Sequence, residues 1–337
     1  MPILCADNRF TRRFGLLTPI AAAPMAFASG GELAAAGAKA GALGMVGGAY
    51  GDRDWTAREY TSAVKLLSDD EAAVARLGCG FITWRMEQDR SALDWLLDQE
   101  HTPAAIMLSF GDPTEVAKAI TARGIPLICQ IQTIAQLPQA VAAGACVIVA
   151  QGGEAGGHGM NALDGRSTFT LVPEVADWLA AHAPDVQLLA AGGIADGRGL
   201  AAALMLGADG AVVGSRLWAS EESLATAAAI DTAIAADGDG SARSKVFDIL
   251  REKDWPGEYD FRALRNAIHR EWEGRIAELE ADPAAAIVDY KAGVAAGDFT
   301  RAHVTVGEGT GLIRSSASAG EIIHTIDAEA RRLLGEA

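Results

Sequence analysis

Eight short, nearly continuous apolar runs recur along the first two thirds of this chain, at residues 19–24, 42–46, 77–83, 104–109, 126–131, 146–151, 187–191 and 210–214. Each has the length of a strand, and none alternates with polar residues. Such runs suit strands buried on both faces of a parallel sheet. Between them lie segments with helical periodicity: 31–40, 54–67, 91–99, 113–123, 134–143, 172–183 and 198–206. Asp112 before Pro113 marks a helix start, and Gly124, Gly144 and Gly207 suit the positions just past helix ends. Eight strands alternating with helices predict an α/β protein of the (β/α)₈ TIM-barrel type. A doubly wound open sheet is the competing fold, since periodicity carries no information about closure.

After Gly214 the rhythm stops. Residues 223–236 form an Ala-rich helix, Asp237–Gly240 a turn, and residues 245–279 mix aromatic with charged side chains, including Phe247, Trp255, Tyr259, Phe261 and Trp272. Helices are expected at 282–295 and 319–334, with a Gly- and Thr-rich loop between them. The expected division is a barrel over 1–220, joined by part of 300–337, and a helical lid over 221–300.

Charge and composition narrow the function. The 337 residues carry 28 Lys+Arg against 44 Asp+Glu, a net charge of −16. That balance opposes binding to nucleic acid or to anionic lipid, both of which need a basic face. No apolar run approaches the roughly 20 residues of a membrane span. Residues 1–13 are polar, so a cytoplasmic protein is expected. Cys5, Cys79, Cys129 and Cys146 form no CxxC pair and no His/Cys cluster. They read as reduced thiols, with Cys129 and Cys146 in the core, and no metal site is expected.

In a barrel of this kind the site lies where strands end. Gly192 and Gly193 follow the seventh run, and Gly214 and Ser215 the eighth. Glycines there let backbone N–H groups approach an anion, so the pair of loops reads as a phosphate site. The sixth run leads into Gln151-Gly-Gly-Glu-Ala-Gly-Gly-His158-Gly. His158, on a glycine-rich loop that leaves the imidazole accessible, is the expected catalytic residue, able to act as a base near neutrality. Glu154 in the same loop reads as a loop-stabilising or solvated carboxylate. Gln130, Gln132 and Gln151 are amides on otherwise apolar strand ends. They either hold a polar heterocycle or satisfy one another inside the barrel. Trp84 and Met25 read as pocket wall. The nucleophile elbow, the Walker loop, the HExxH pair and a GxGxxG in its strand-to-helix setting are all missing from the sequence.

These pieces together resemble the nitronate monooxygenases, formerly 2-nitropropane dioxygenases. The likeness rests on AAAPMAFASGGELAAAGAKAGALGMVGG near the start, GFITW, QIQTIAQLPQAVAAGA, QGGEAGGHG, AAGGIADGRGLAAALMLGADGAVVGSRL and NAIHREWEG, and it covers nearly the whole chain. The resemblance implies a (β/α)₈ fold, FMN as cofactor, and oxidation of alkyl nitronates with O₂ to carbonyl compounds and nitrite. It implies that Ala23, Pro24, Met25 and Ala26 line the flavin, that Gln130 and Gln151 contact its ring or ribityl chain, and that Gly156 and Gly157 belong to the cofactor site. Gly192, Gly193, Gly214 and Ser215 would hold the phosphate, and His158 would be the active-site histidine. Trp84 and Gln132 are assigned to the substrate pocket. The implied partners are a small nitronate and O₂, with a homodimer as the assembly to test. Relatives with this histidine also include NAD(P)H-dependent reductases of quinones or enoyl thioesters, which form the alternative, beside a flavin-binding protein without turnover.

Overall fold

The computed structural model describes residues 7–336, so Cys5 lies outside the described residues. All eight apolar runs are strands: β1 (Ile20–Ala22), β2 (Gly44–Gly47), β3 (Leu77–Ile82), β4 (Ile106–Ser109), β5 (Leu127–Ile131), β6 (Val147–Gln151), β8 (Gln187–Ala191) and β9 (Gly210–Val213). They pair in parallel in the order β1-β9-β8-β6-β5-β4-β3-β2. A parallel bridge between Ala21 and Leu43 joins β1 to β2. That bridge closes the sheet into a barrel and excludes the doubly wound alternative.

Closure divides each strand's side chains between two layers. Met45, Met107, Ile128, Val149, Leu189 and Val212 fill the barrel's interior. Their neighbours Val46, Ile106, Cys129, Ile148, Leu188 and Val213 face the surrounding helices. The helix Arg9–Phe14 packs Phe10 and Phe14 onto the interior layer and plugs the end where strands begin. Asn8 and Arg9 fasten it there, both bonding to Asp209 just ahead of β9. The opposite end, where strands finish, is left for the site. Gly124, Gly144 and Gly207 all take positive φ at the ends of helices. Among the described residues no helix is long and apolar enough to cross a membrane.

The final helix, Ala319–Leu334, packs against both Gly197–Met205 and Gly31–Lys39. It thereby occupies the place of the eighth barrel helix, after the chain has made a detour of about a hundred residues. Part of that detour differs from the helical lid expected. Two of its segments are strands, β10 (Ser241–Ser244) and β11 (Tyr259–Leu264), which pair antiparallel. β11 also pairs with β7 (Gly157–Met160), in the loop after β6, with Phe261 opposite His158. Burial along Tyr259–Leu264 mostly alternates, as the period of a strand requires. The detour, otherwise mainly helical, is therefore stitched to the barrel by a three-stranded sheet.

Cys79 and Cys129 are buried and Cys146 half-buried, all as free thiols. Burial pushes the Cys129 thiol up to about 12, which makes it inert at neutrality.

The tightest barrel contact gives a test. A Cβ at Gly44 would lie 2.0 Å from the carbonyl oxygen of Ala34, inside the helix that covers β2. Gly44→Ala is expected to cost about 1–3 kcal/mol, the usual range for overpacking. A urea unfolding midpoint equal to wild type would show that this helix does not pack as described.

Candidate active site

One cavity of about 700 Å³ opens where the barrel strands end. This is a size that holds a drug-sized or cofactor-sized molecule. Ala23, Pro24, Met25 and Ala26 form one side of it, and Gln130 and Gln151 form its floor. Gly156, Gly157 and His158 line it from the loop after β6, Gly192 and Gly193 from the loop after β8, and Gly214 and Ser215 from the end of β9. Trp255, Phe261, Tyr290 and His303 reach it from the detour.

Two residues expected in the substrate pocket are not in its walls. Trp84 lies in the first turn of the short helix Thr83–Gln88, and its indole meets Trp255 edge-on, with centroids 5.4 Å apart. Gln132 turns its amide to Gln151, donating Nε2–H to Oε1 at 3.1 Å. The two amides thus meet, while Gln132 Oε1 has no partner among the described residues. Gln151 in turn donates to the His158 carbonyl at 3.2 Å. Gln130 too has a buried amide atom, Nε2, without a hydrogen-bond partner among the described residues, and unlike Gln132 it lines the cavity. A buried amide without a partner is costly unless a bound molecule supplies an acceptor.

The glycine loops form the second polar feature. Gly192 and Gly193 take φ of 106° and 73°, which side-chain-bearing residues rarely adopt. The N–H groups of Gly193, Gly214 and Ser215 have no acceptor among the described residues. Three free donors converging from two neighbouring strand ends suit an oxyanion such as a phosphate.

His158 departs from the expectation of an accessible loop. It lies on β7 and is only 7% exposed. Its ring stacks on Trp255 with centroids 3.4 Å apart and planes 12° from parallel, while Phe261 stands 4.8 Å away. Nε2 lies 2.9 Å and 3.1 Å from the two carboxylate oxygens of Asp248. Burial pulls the imidazole down to about 4, outweighing the raising effect of Asp248. At neutral pH the contact is therefore a neutral imidazole donating to a carboxylate, rather than an ion pair. Asp248, on Val246–Leu250, is itself buried. Sequence reasoning passed over it, although a lone acid inside the apolar run Val-Phe-Asp-Ile-Leu was a signal.

The loop carrying His158 is held from two sides. Glu154 accepts from the backbone N–H and the hydroxyl of Thr168, consistent with its loop-stabilising reading. Arg243 on β10 donates to the carbonyls of Gly153, Ala155, Gly157 and Asp260. Burial brings this guanidinium down to about 9, so it stays charged at neutrality. Of the aromatic residues in the tract 245–279, Trp255 and Phe261 wall the site. The Tyr259 hydroxyl accepts from the N–H of Gly111 instead, and Trp272 packs with the detour's own core. Phe27, Ala49 and Phe110 also line the cavity with positive φ, placing backbone strain at this one mouth.

The chain is similar to known proteins over most of its length. The profile of the nitronate monooxygenase family matches residues 80–329. A nitronate monooxygenase of Neurospora crassa is 32% identical, over 93% of this chain and 89% of its own. Nitronate monooxygenase npaC of Metarhizium robertsii is 34% identical, over 94% and 91%. The chain belongs to the nitronate monooxygenase family. Among solved structures, FabK from Thermotoga maritima superposes with a TM-score of 0.80 at 26% identity, over 98% of both chains. The family match begins at Gly80 and runs to Glu329, so it spans both the site loops and the detour that roofs them.

The buried histidines set a pH dependence. His158 is held neutral down to about 4 and His303, also by burial, down to about 3, whereas in the unfolded chain each protonates near 6.5. The unfolded state thus binds protons first as pH falls. Their contribution is complete above about 6.5 and is lost progressively below it. The thermal midpoint is expected to drop by several degrees between pH 7.5 and pH 5. A midpoint that rose over that interval would contradict neutral, buried imidazoles.

Proposed function

We propose that this protein binds FMN and oxidises alkyl nitronates with O₂ to a carbonyl compound and nitrite. The observation that carries this reading is the joining, in one cavity, of free backbone donors suited to a phosphate, an unpartnered amide on an apolar floor, and a neutral imidazole facing them. The residues fit a flavin mononucleotide. Gly193, Gly214 and Ser215 would receive its single phosphate, and Gln130 would hydrogen-bond to the ring. Ala23, Pro24, Met25 and Ala26 would give the flat ring an apolar bed. FMN, when bound, supplies the electron acceptor that the side chains lack.

The protein's own part is placement and protection. The strand ends fix the floor, and Trp255 and Phe261 from the detour exclude water above it. His158 faces the cavity as a neutral base, ready to take a proton from a substrate carbon. Water exclusion strengthens each of these polar contacts.

Cofactor analysis, nitrite release and a His158 variant test the reading. Acid release and chromatography of the purified protein's cofactor is expected to yield FMN, while FAD would contradict the single-phosphate site. Turnover of a nitronate is expected to release nitrite. In His158→Asn, FMN content should stay near wild type, because the phosphate donors lie on other loops. Activity on a neutral nitroalkane should fall by about 10²–10⁴-fold, the scale of general base catalysis. Wild-type activity in that variant would remove His158 from the chemistry.

A further inference from the structure

The pairing of His158 with Asp248 constrains the reaction further, given the reading of the site above. Both side chains are buried, and both carboxylate oxygens lie within hydrogen-bond distance of one ring nitrogen, Nε2. If Nε2 were bare, its lone pair would face a carboxylate oxygen at 2.9 Å, a repulsion with no water to relieve it. The proton therefore sits on Nε2. Nδ1 makes no hydrogen bond to the described residues, and His158 lines the cavity. The charged groups facing this imidazole are Asp248, Arg251 and Arg243. Arg251 Nη1 stands 3.7 Å from Asp248 Oδ1, and its guanidinium lies over the Phe261 ring at 4.6 Å. The guanidinium thus stands beside the carboxylate as a counter-charge, without a hydrogen bond to it. Trp255, Phe261 and Phe110 complete the surroundings and carry no charge.

We infer that Asp248 is a positioning residue, which fixes His158 with Nε2 protonated and Nδ1 bare, and so equips the site to accept neutral nitroalkanes and not only their preformed anions. In the step this allows, the α C–H bond of the nitroalkane breaks and its proton passes to Nδ1. The electron pair forms the C=N bond as an N=O pair moves onto oxygen, giving the nitronate and an imidazolium. Asp248 offsets the new positive charge at Nε2, which a buried imidazole could not otherwise carry. A bare Nδ1 cannot donate to a nitronate oxygen, so the same geometry gives Asp248 little part in turnover of the preformed anion.

The test compares wild-type holoenzyme with Asp248→Asn and Asp248→Glu, using nitroethane and preformed ethyl nitronate. The Asn variant is expected to lose about 10²–10⁴-fold in kcat/KM on nitroethane. On ethyl nitronate it should lose less than about tenfold, and the Glu variant should recover part of the nitroethane activity. Exchange of the α-protons of nitroethane into D₂O without oxygen should fall in parallel, since it reads the proton step alone. In ¹⁵N-histidine-labelled wild type, NMR should show His158 protonated at Nε2 and bare at Nδ1. Equal losses on both substrates, or a proton found on Nδ1, would overturn the inference. Should wild type oxidise neither substrate, the functional reading fails. The NMR signature, read without substrate, still decides the role of Asp248. It also decides the case if the Asn variant does not fold.

Discussion

Arg243 holds the site together. Its guanidinium is buried in the small sheet and donates to four backbone carbonyls, three of them in the glycine-rich loop after β6. That loop has few side chains with which to fix itself, and a flexible loop could not place His158 against Asp248 to within hydrogen-bond distance. A planar donor fork suits this task, because it satisfies several carbonyls at once in a fixed plane. The charge costs a desolvation penalty, and so many charge-assisted hydrogen bonds offset it. Through this residue, beside the β11–β7 ladder, the detour beyond the barrel acts on the geometry of a barrel loop.

The architecture divides the work accordingly. The barrel gives a rigid floor whose strands all end at one mouth, with Gln130 and the two glycine loops in register. The detour gives the roof and the acid: Trp255 stacks on the imidazole and Asp248 accepts from it. Neither part contains a complete site. A close approach between them is built into the backbone, since a Cβ at Gly156 would lie 2.6 Å from Gly307 N and from the Val306 carbonyl carbon. Two glycines facing each other allow the strap at 304–309 to seat on the His158 loop without a side chain between them.

Much of the barrel was legible in the sequence because its signals are local. Runs such as 187–191 coincide with the strand, and elsewhere the ends differ by one or two residues, where the last apolar side chain lies past the final ladder bond. Both glycine loops and His158 were legible for the same reason, since strand ends announce themselves. The small sheet was not. β7 reads Gly-His-Gly-Met, with weak strand propensity, and its partner β11 lies about a hundred residues on. Its strand character comes from that tertiary pairing. The same separation hid the Asp248 partner of His158, 90 residues distant. Trp84 and Gln132 were placed by strand position alone, and the direction of their side chains depends on packing against Trp255 and Gln151.

The central claim is that the cavity oxidises a nitronate by passing its electrons to a bound flavin. Anaerobic stopped-flow mixing reads that step with nothing after it. The holoenzyme, mixed with excess ethyl nitronate under nitrogen, is expected to lose its oxidised flavin absorbance within the time of a turnover, while NADH leaves it unchanged over the same interval. Rapid bleaching by NADH and none by the nitronate would contradict the assignment and mark the site as that of a reductase.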